Sequence, residues 1–198
     1  MIKDIRGIND KTVEGKMLLA ALAKITTESQ IDKTPDEVLN QIADLCEQMY
    51  EPEWKKYMDL VVEVAGISSD TSRRIGCVIV KNNVTASGCN DFPWGVKDIP
   101  ERREPPLKYK FTRHAEINAL ANFVAAGNDP NGATVYVIWF PCSTCALALA
   151  EFGIRKLVCM EPDWEEERYD FKTSRTILEE AGVQLQFVDY KYDTRVKH

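Results

Sequence analysis

Histidine and long apolar runs are the features that this 198-residue sequence has least of. It contains two histidines, and His114 is the only one before the terminal His198. No apolar run approaches the roughly 20 residues that a membrane-spanning helix needs. The first six residues contain no signal-peptide core. The sequence therefore predicts no membrane association, and the expected location is the cytoplasm, or the host cytoplasm for a viral protein.

Basic residues are also scarce relative to acidic ones. The 25 Lys and Arg residues face 31 Asp and Glu residues, which gives a formal net charge of −6. Because a broad nucleic-acid footprint normally needs clustered Lys and Arg, this balance argues against RNA or DNA as a partner. A small anionic substrate stays open, since a few local cations can hold one phosphate.

Composition and periodicity divide the chain into an extension, a main domain and a tail. Helical spacing over 12–29 and a capping box at Thr34-Pro35-Asp36-Glu37 predict a helical extension over residues 1–50. The extension could cap the main domain, join subunits, bind another protein or pack as an accessory hairpin. The main domain is expected over 51–190, followed by a frayed tail over 191–198.

Alternating strand and helix patterns in the main domain predict an α/β fold with a central mixed sheet. After a helix that begins near Pro52 and ends at Gly66, a β-hairpin is expected around Asn82-Asn83. An irregular loop is expected over 92–112. The later helices begin at His114, Cys142 and Thr173, and the later strands cover 133–140, 155–160 and 183–188.

Two short motifs carry the chemistry, His114-Ala115-Glu116 and Pro141-Cys142-Ser143-Thr144-Cys145. The two cysteines have the spacing that lets two thiolates bind one metal ion. With His114 as third ligand, a tetrahedral Zn²⁺ keeps one position open for water, as catalytic zinc sites do. Glu116 need not bind metal and can act as the catalytic proton shuttle. H-x-E together with P-C-x-x-C is the signature of zinc deaminases.

A structural zinc site, or none, is the alternative interpretation of these motifs. A closed site would need a fourth protein ligand. His198 lies at the far end of the tail, and the remaining four cysteines sit in apolar segments: Cys46, Cys77, Cys89 and Cys159. Metal ligands and buried thiols are therefore favoured over disulfides.

Several residues outside the motifs are candidates for substrate contact. The loop before His114 is the most basic stretch of the chain and contains either a phosphate contact or a solvated surface; its cations are Lys97, Arg102, Arg103, Lys108 and Lys110, with Arg113 just beyond. Asn90 is equally well a turn residue or a partner of a sugar hydroxyl. Trp164 is favoured as a stacking partner for a base, whereas Trp139 is expected in the core.

Residues 51–188 resemble the deoxycytidylate deaminases of the cytidine-deaminase superfamily. Besides the two motifs, three segments carry the likeness: Ser72-Arg73-Arg74-Ile75-Gly76-Cys77-Val78-Ile79-Val80, Asn90-Asp91-Phe92-Pro93-Trp94-Gly95-Val96 and Leu107-Lys108-Tyr109-Lys110. The resemblance implies a three-layer fold with a five-stranded sheet and conversion of dCMP to dUMP with release of ammonia. It implies zinc on His114, Cys142 and Cys145, Glu116 as proton shuttle, and a deoxyribose held by Asn90. Arg113, Ala115 and Trp164 complete the expected substrate contacts.

The resemblance also implies a homo-oligomer, a hexamer or a dimer, with dCTP and dTTP as effectors. Two positions depart from the family's pattern. Asp91 stands where G-Y-N-G has its second glycine, so regulation by triphosphates is less expected here. Trp94 stands where F-P-R-G has arginine and could reshape the phosphate pocket. Alternative substrates are dCTP, a modified deoxycytidine nucleotide or a nucleic-acid base. A zinc-scaffold binding module without turnover is disfavoured by the intact Glu116.

Overall fold

The computed structural model describes residues 52–191, together with Lys16, Ala20 and Glu37. Of the helices expected over 12–29 and from Thr34, only Lys16, Ala20 and Glu37 are described, each as helical, and the rest lies outside the described residues. The chain divides into two compact units, Met1–Glu53 and Trp54–His198. The proposed bounds of extension, main domain and tail stay a prediction. No helix in the described part of the chain combines the length and the apolar character needed to cross a bilayer.

Five strands form one mixed sheet in the order β2-β1-β3-β4-β5. They are β1 (Gly76–Lys81), β2 (Val84–Cys89), β3 (Thr134–Val137), β4 (Lys156–Cys159) and β5 (Gln184–Phe187). β1 pairs antiparallel with both β2 and β3, whereas β3, β4 and β5 are parallel. The predicted mixed five-stranded sheet is confirmed.

The hairpin between β1 and β2 turns through two asparagines. Asn82 and Asn83 have φ angles of 49° and 65°, in the left-handed region. Two consecutive residues of positive φ make a tight hairpin connection whose twist matches that of the strands, and asparagine tolerates this conformation. The predicted hairpin is thus confirmed, with Lys81 paired to Val84 at its end.

Six helices accompany the sheet in the described residues. They are α1 (Glu53–Gly66), α2 (Pro100–Arg103), α3 (Lys108–Phe111), α4 (Ala115–Ala125), α5 (Ser143–Glu151) and α6 (Phe171–Glu180). The irregular loop expected over 92–112 was wrong in part, since α2 and α3 are two single-turn helices within it. Pro100 sits in the first turn of α2, where its missing N–H is not needed.

Both faces of the sheet are covered, because successive strand residues point to opposite sides. On one face, α1 packs over Val78, Tyr136 and Val158. On the other face, residues such as Val135 and Leu157 pack under α4, α5 and α6. This gives the expected three-layer α/β fold and explains the apolar character of the strands.

A glycine in β2 allows α4 to approach the sheet closely. A Cβ atom at Gly88 would lie 2.4 Å from the backbone nitrogen of Ala119. No side chain fits at that distance, so α4 rests directly on the β2 backbone. This contact fixes the helix whose first residues carry the His114 motif.

Candidate metal centre and substrate cavity

His114 and Cys142 begin two neighbouring helices. His114 is the N-cap of α4 and Cys142 is the N-cap of α5, both with extended backbone angles. The His114 side chain makes no capping hydrogen bond to its own helix, so the imidazole is available for another partner. The unpaired N–H groups and positive dipole at a helix N-terminus favour an anionic thiolate.

The helix starts bring three metal-binding side chains together. His114 Nδ1 lies 3.4 Å from Cys142 Sγ and 3.3 Å from Cys145 Sγ. All three ligand atoms fall within 4.8 Å of one another. A hydrogen bond from Cys145 lowers the pKa of the Cys142 thiol to about 4, against the opposing effect of burial, and the contact with His114 acts in the same direction. These contacts favour the anionic form of the Cys142 sulfur, whereas the same contact with Cys142 raises the pKa of the Cys145 thiol.

The donor set fits zinc. One imidazole nitrogen and two thiolate sulfurs are typical zinc ligands, and three protein ligands leave one tetrahedral position open. Among the described residues, no fourth His, Cys, Asp or Glu side chain joins the cluster. The closed structural site that was the alternative finds no fourth ligand in this part of the chain.

Glu116 lies in the first turn of α4, two residues after His114. Its side chain is buried, with 5% of its surface exposed, yet it lines the cavity beside the cluster. Burial raises the pKa of its carboxyl above the usual value, although the nearby His114 opposes this shift. A buried carboxyl group of this kind is suited to carrying protons.

A buried serine from α6 holds the cysteine motif in place. Ser174 Oγ, fully buried, donates a 2.6 Å hydrogen bond to the carbonyl oxygen of Pro141. Pro141 directly precedes Cys142, so this bond fixes the residue from which α5 starts. The predicted motif thus depends on a partner 33 residues further along the chain.

The cluster opens into a cavity of about 340 Å³. Five of the predicted site residues line it: Asn90, His114, Ala115, Glu116 and Cys142. Cys145, also predicted, completes the metal cluster behind Cys142. A volume of this size is in the range of small-molecule sites.

Arg113 and Trp164 are not among the side chains that line this cavity. The Arg113 side chain donates to Asn118 Oδ1 at 2.7 Å. The Trp164 ring packs edge-on against Phe140 and Phe187. The substrate contacts expected of these two residues stay predictions.

The amide of Asn90 is fully engaged by the protein. Its oxygen accepts from the Ile75 N–H at 2.7 Å and, at 3.0 Å, from the Ser68 hydroxyl, whose single hydrogen is shared with the Asn90 backbone carbonyl at 2.6 Å. Its nitrogen donates to Asp70 Oδ2 at 3.1 Å and to the Arg73 carbonyl at 2.8 Å. These bonds use both lone pairs and both hydrogens of the amide. A sugar hydroxyl would have to replace one of them.

The structure adds cavity residues that the sequence did not reveal. Arg73 and Arg168 line the cavity from segments far apart in the chain. No local sequence pattern indicated that these two arginines lie near each other. Trp139 was expected in the core, and that was wrong, because it is 37% exposed and lines the cavity. β3 ends at Val137, so the inward direction of its apolar residues does not extend to Trp139.

The basic loop before His114 contributes one cation to the cavity wall. Lys108 lines the cavity, and its Nζ lies 2.7 Å from Asp70 Oδ1. Both side chains are largely buried, at 14% and 5% exposed. Arg103 instead pairs with Asp98 outside the cavity. The charge of Lys108 is therefore balanced before any ligand binds.

Comparison with known proteins points to one family. The family model described as "Cytidine and deoxycytidylate deaminase zinc-binding region" matches residues 52–161. An uncharacterized deaminase in the luxG 3′ region of Aliivibrio fischeri is 33% identical over 141 residues, covering 68% of this chain and 92% of that protein. The deoxycytidylate deaminase of Mus musculus is 32% identical over 149 residues, covering 71% of this chain and 82% of that protein.

Solved structures show the same architecture. The dCMP deaminase of cyanophage S-TIM5, solved in complex with dCMP and dUMP, superimposes with a TM-score of 0.57 at 23% identity. The match covers 70% of this chain and 99% of the phage protein. At 23% identity, this structural similarity supports the assignment of the fold alone.

Proposed function

Because this chain belongs to the cytidine and deoxycytidylate deaminase family and is a hydrolytic deaminase, we propose that its substrate is dCMP, which it converts to dUMP with release of ammonia. The observation that carries the proposal is the cluster of His114, Cys142 and Cys145 beside the buried Glu116, on the wall of one cavity. The relatives at 31% and 32% identity that are named deoxycytidylate deaminases support the choice of substrate.

In this proposal, His114, Cys142 and Cys145 hold the zinc ion. Zinc at such a site supplies a Lewis acid that makes water acidic enough to react near neutral pH. The two helix N-termini stabilise the anionic sulfurs, and Ser174 keeps the start of α5 in place. The protein therefore presents its ligands in a fixed arrangement.

Glu116 moves the protons in this proposal. The oxygen of water bonds to C4 of the cytosine ring and the C4–N bond breaks. Of the two protons of water, one ends on ring N3 and the other on the departing ammonia. Glu116 carries both, because its carboxyl group lies at the buried side of the cavity, away from bulk solvent.

Ammonia release from dCMP, dCTP, deoxycytidine and cytidine tests the proposal directly. We expect dCMP to be the best substrate of wild type. Glu116→Gln keeps the side-chain shape but removes the proton carrier, so kcat should fall by about 10²–10⁴-fold. Turnover confined to free nucleosides would contradict the choice of a nucleotide, and full activity of the variant would remove Glu116 from its role.

We extend the proposal to location and assembly, namely a cytoplasmic homo-oligomer, a hexamer or a dimer, with dCTP and dTTP as effectors. Large apolar side chains exposed on or next to α4 and α5 support association: Val124, Leu147 and Phe152 are 42%, 58% and 41% exposed. Light scattering of the full chain measures the number of subunits, and its repetition with each triphosphate measures any effect of these nucleotides on assembly. A monomer unaffected by either triphosphate would contradict them.

A further inference from the structure

Two arginines at the exposed part of the cavity lie in a setting that suits an anion. Arg73 and Arg168 are both exposed, and both line the cavity that contains Glu116. In the described part of the chain, neither guanidinium forms an ion pair with a carboxylate. Glu166, the carboxylate nearest in sequence, accepts instead from the backbone N–H of Arg168 at 2.9 Å.

The Arg73 backbone is fixed from two sides. Its N–H donates to Asp70 Oδ1 at 3.0 Å, and its carbonyl accepts from Asn90 at 2.8 Å. The guanidinium donates to the Tyr169 hydroxyl at 3.2 Å and lies 5.4 Å from the centre of the Trp139 ring. Arg73 is thus ordered by neutral partners that leave its charge uncompensated.

Arg168 is held between aromatic rings in the same way. Its guanidinium carbon lies 5.2 Å from the centre of the Tyr109 ring and 5.4 Å from that of Tyr169. Contacts of this length are cation–π interactions, which orient a guanidinium without neutralising it. Tyr169 contacts both arginines and so links them.

We propose that Arg73 and Arg168 together bind the 5′-phosphate of the nucleotide substrate, with Tyr169 positioning both guanidiniums. This inference rests on the proposed function, since it assigns the phosphate end of the same cavity. Arginine is suited to the task, because its planar fork donates two parallel hydrogen bonds to a phosphate. The sequence left open a phosphate contact in the loop before His114, whose cavity-lining lysine is already paired with Asp70.

The charge count favours a monophosphate. A phosphate monoester carries about −1.5 to −2 charges at pH 7, which two guanidiniums balance. Lys108 does not add to this count, because Asp70 holds it at 2.7 Å. A triphosphate would bring further negative charge without a further free cation among the cavity-lining residues described. The same pair of arginines therefore discriminates dCMP from deoxycytidine, which carries no phosphate charge.

Steady-state kinetics of Arg73→Gln and Arg168→Gln on dCMP and deoxycytidine tests this site. Each variant should raise KM for dCMP by about 10- to 100-fold with little change in kcat, because hydrogen bonds to a charged group are lost from ground and transition states alike. Turnover of deoxycytidine, which has no phosphate, should stay unchanged. Tyr169→Phe should raise KM for dCMP less than either arginine variant.

Arg175→Gln is the matched control. It removes one exposed positive charge, which pairs with Glu179 at 2.7 Å, away from the cavity. It should leave KM for both substrates unchanged. Equal losses on dCMP and deoxycytidine, or none on either, in the Arg73 and Arg168 variants would overturn the inference.

Calorimetric binding of deoxyribose 5-phosphate to the purified full chain separates this inference from the proposed function. Wild type and Arg175→Gln should bind the sugar phosphate, and Arg73→Gln and Arg168→Gln should lose that binding. If wild type released no ammonia from dCMP, the proposed function would fail while this measurement still decided the phosphate site. Binding that is the same in all four proteins would refute the site even in an active deaminase.

Discussion

The buried part of the cavity takes its chemical groups from two adjacent helix N-termini, whereas the exposed part assembles side chains from three separate segments. His114, Glu116 and Cys142 lie at or just inside the starts of α4 and α5. The exposed part is lined by three segments, near Asp70, Tyr109 and Arg168, which belong to no common helix or strand.

The difference shows that the metal-binding residues and the substrate-binding residues are held in place by separate sets of contacts. The buried part rests on helices packed against the sheet, and Gly88 allows α4 to lie directly on β2. The exposed part rests on hydrogen bonds among residues outside the sheet, with Asp70 and Asn90 at their centre. Changes in one part should leave the other largely intact, and three substitutions test that expectation.

The largest effect is expected from Cys145→Ser, which removes one sulfur of the metal cluster. Zinc bound per chain should fall to near zero, and deamination should fall by at least about 10³-fold, because the ion supplies the reactive water. Elemental analysis of the purified protein and ammonia release measure the two quantities.

Cys89→Ser is the matched control, since Cys89 lies at the end of β2 and is not one of the three clustered residues. It should keep full zinc content. Deoxyribose 5-phosphate binding should also survive in Cys145→Ser. Loss of that binding together with zinc would show that the two parts of the cavity are not independent.

Asp70→Asn should disrupt the exposed part instead. Lys108, 14% exposed, would lose its 2.7 Å partner, and removing one member of a largely buried pair costs about 3 kcal/mol. We expect a lower free energy of unfolding in urea and a higher KM for dCMP. Zinc content should stay at the wild-type level, and its loss would contradict the comparison.

The pH dependence of the same variant gives a second measurement. Burial alone would raise the pKa of Asp70. Hydrogen bonds from Lys108 and from the Arg73 and Ser72 backbones have a larger effect in the opposite direction, so the net pKa lies below the usual 3.8. A carboxyl whose folded pKa is depressed stabilises the fold above its unfolded pKa, and loses that effect as pH falls through the folded value. The stability gap between wild type and Asp70→Asn should therefore narrow as pH falls below about 4.

The smallest effect is expected from Ser174→Ala. The buried Pro141 carbonyl would lose its 2.6 Å donor, which costs about 1–2 kcal/mol of unfolding free energy. Zinc affinity, measured by competition with a chelator, should weaken because the start of α5 is less firmly held. Thr176→Ala on the same helix removes an exposed hydroxyl and should change neither quantity.

The buried part could be predicted from the sequence because its chemistry is local. Two motifs of three and five residues place His114, Glu116 and the cysteines, and both motifs stand where strand or loop patterns give way to helical ones. The hairpin was predictable for the same reason, since two consecutive asparagines favour the positive φ angles that a tight turn needs. What these patterns could not show is the support from Ser174, which reaches Pro141 across 33 residues.

The exposed part could not be predicted because its members meet only in the folded chain. Arg73 and Arg168 come together through the Tyr169 hydroxyl and ring, 96 residues from Arg73. The loop before His114 was a candidate source of a phosphate contact because it is basic, with a solvated surface as the alternative. Whether a cation of this loop can bind a phosphate depends on its ion-pair partners, which the sequence does not show. Asp98 pairs with Arg103, and Asp70 pairs with Lys108. Trp139 shows the related limit that a continuous apolar run does not reveal where a strand ends.

The four hydrogen bonds of the Asn90 amide join the end of β2 to the segment that carries Asp70, Arg73 and Ile75. Any replacement side chain would forfeit several of these bonds at once, since only a primary amide of this length offers two donors and two acceptors there. For protein engineering, this makes Asn90 a poor position to randomise. A library aimed at new nucleotide preferences would better vary Tyr109 and Trp139, the exposed rings that contact Arg168 and Arg73.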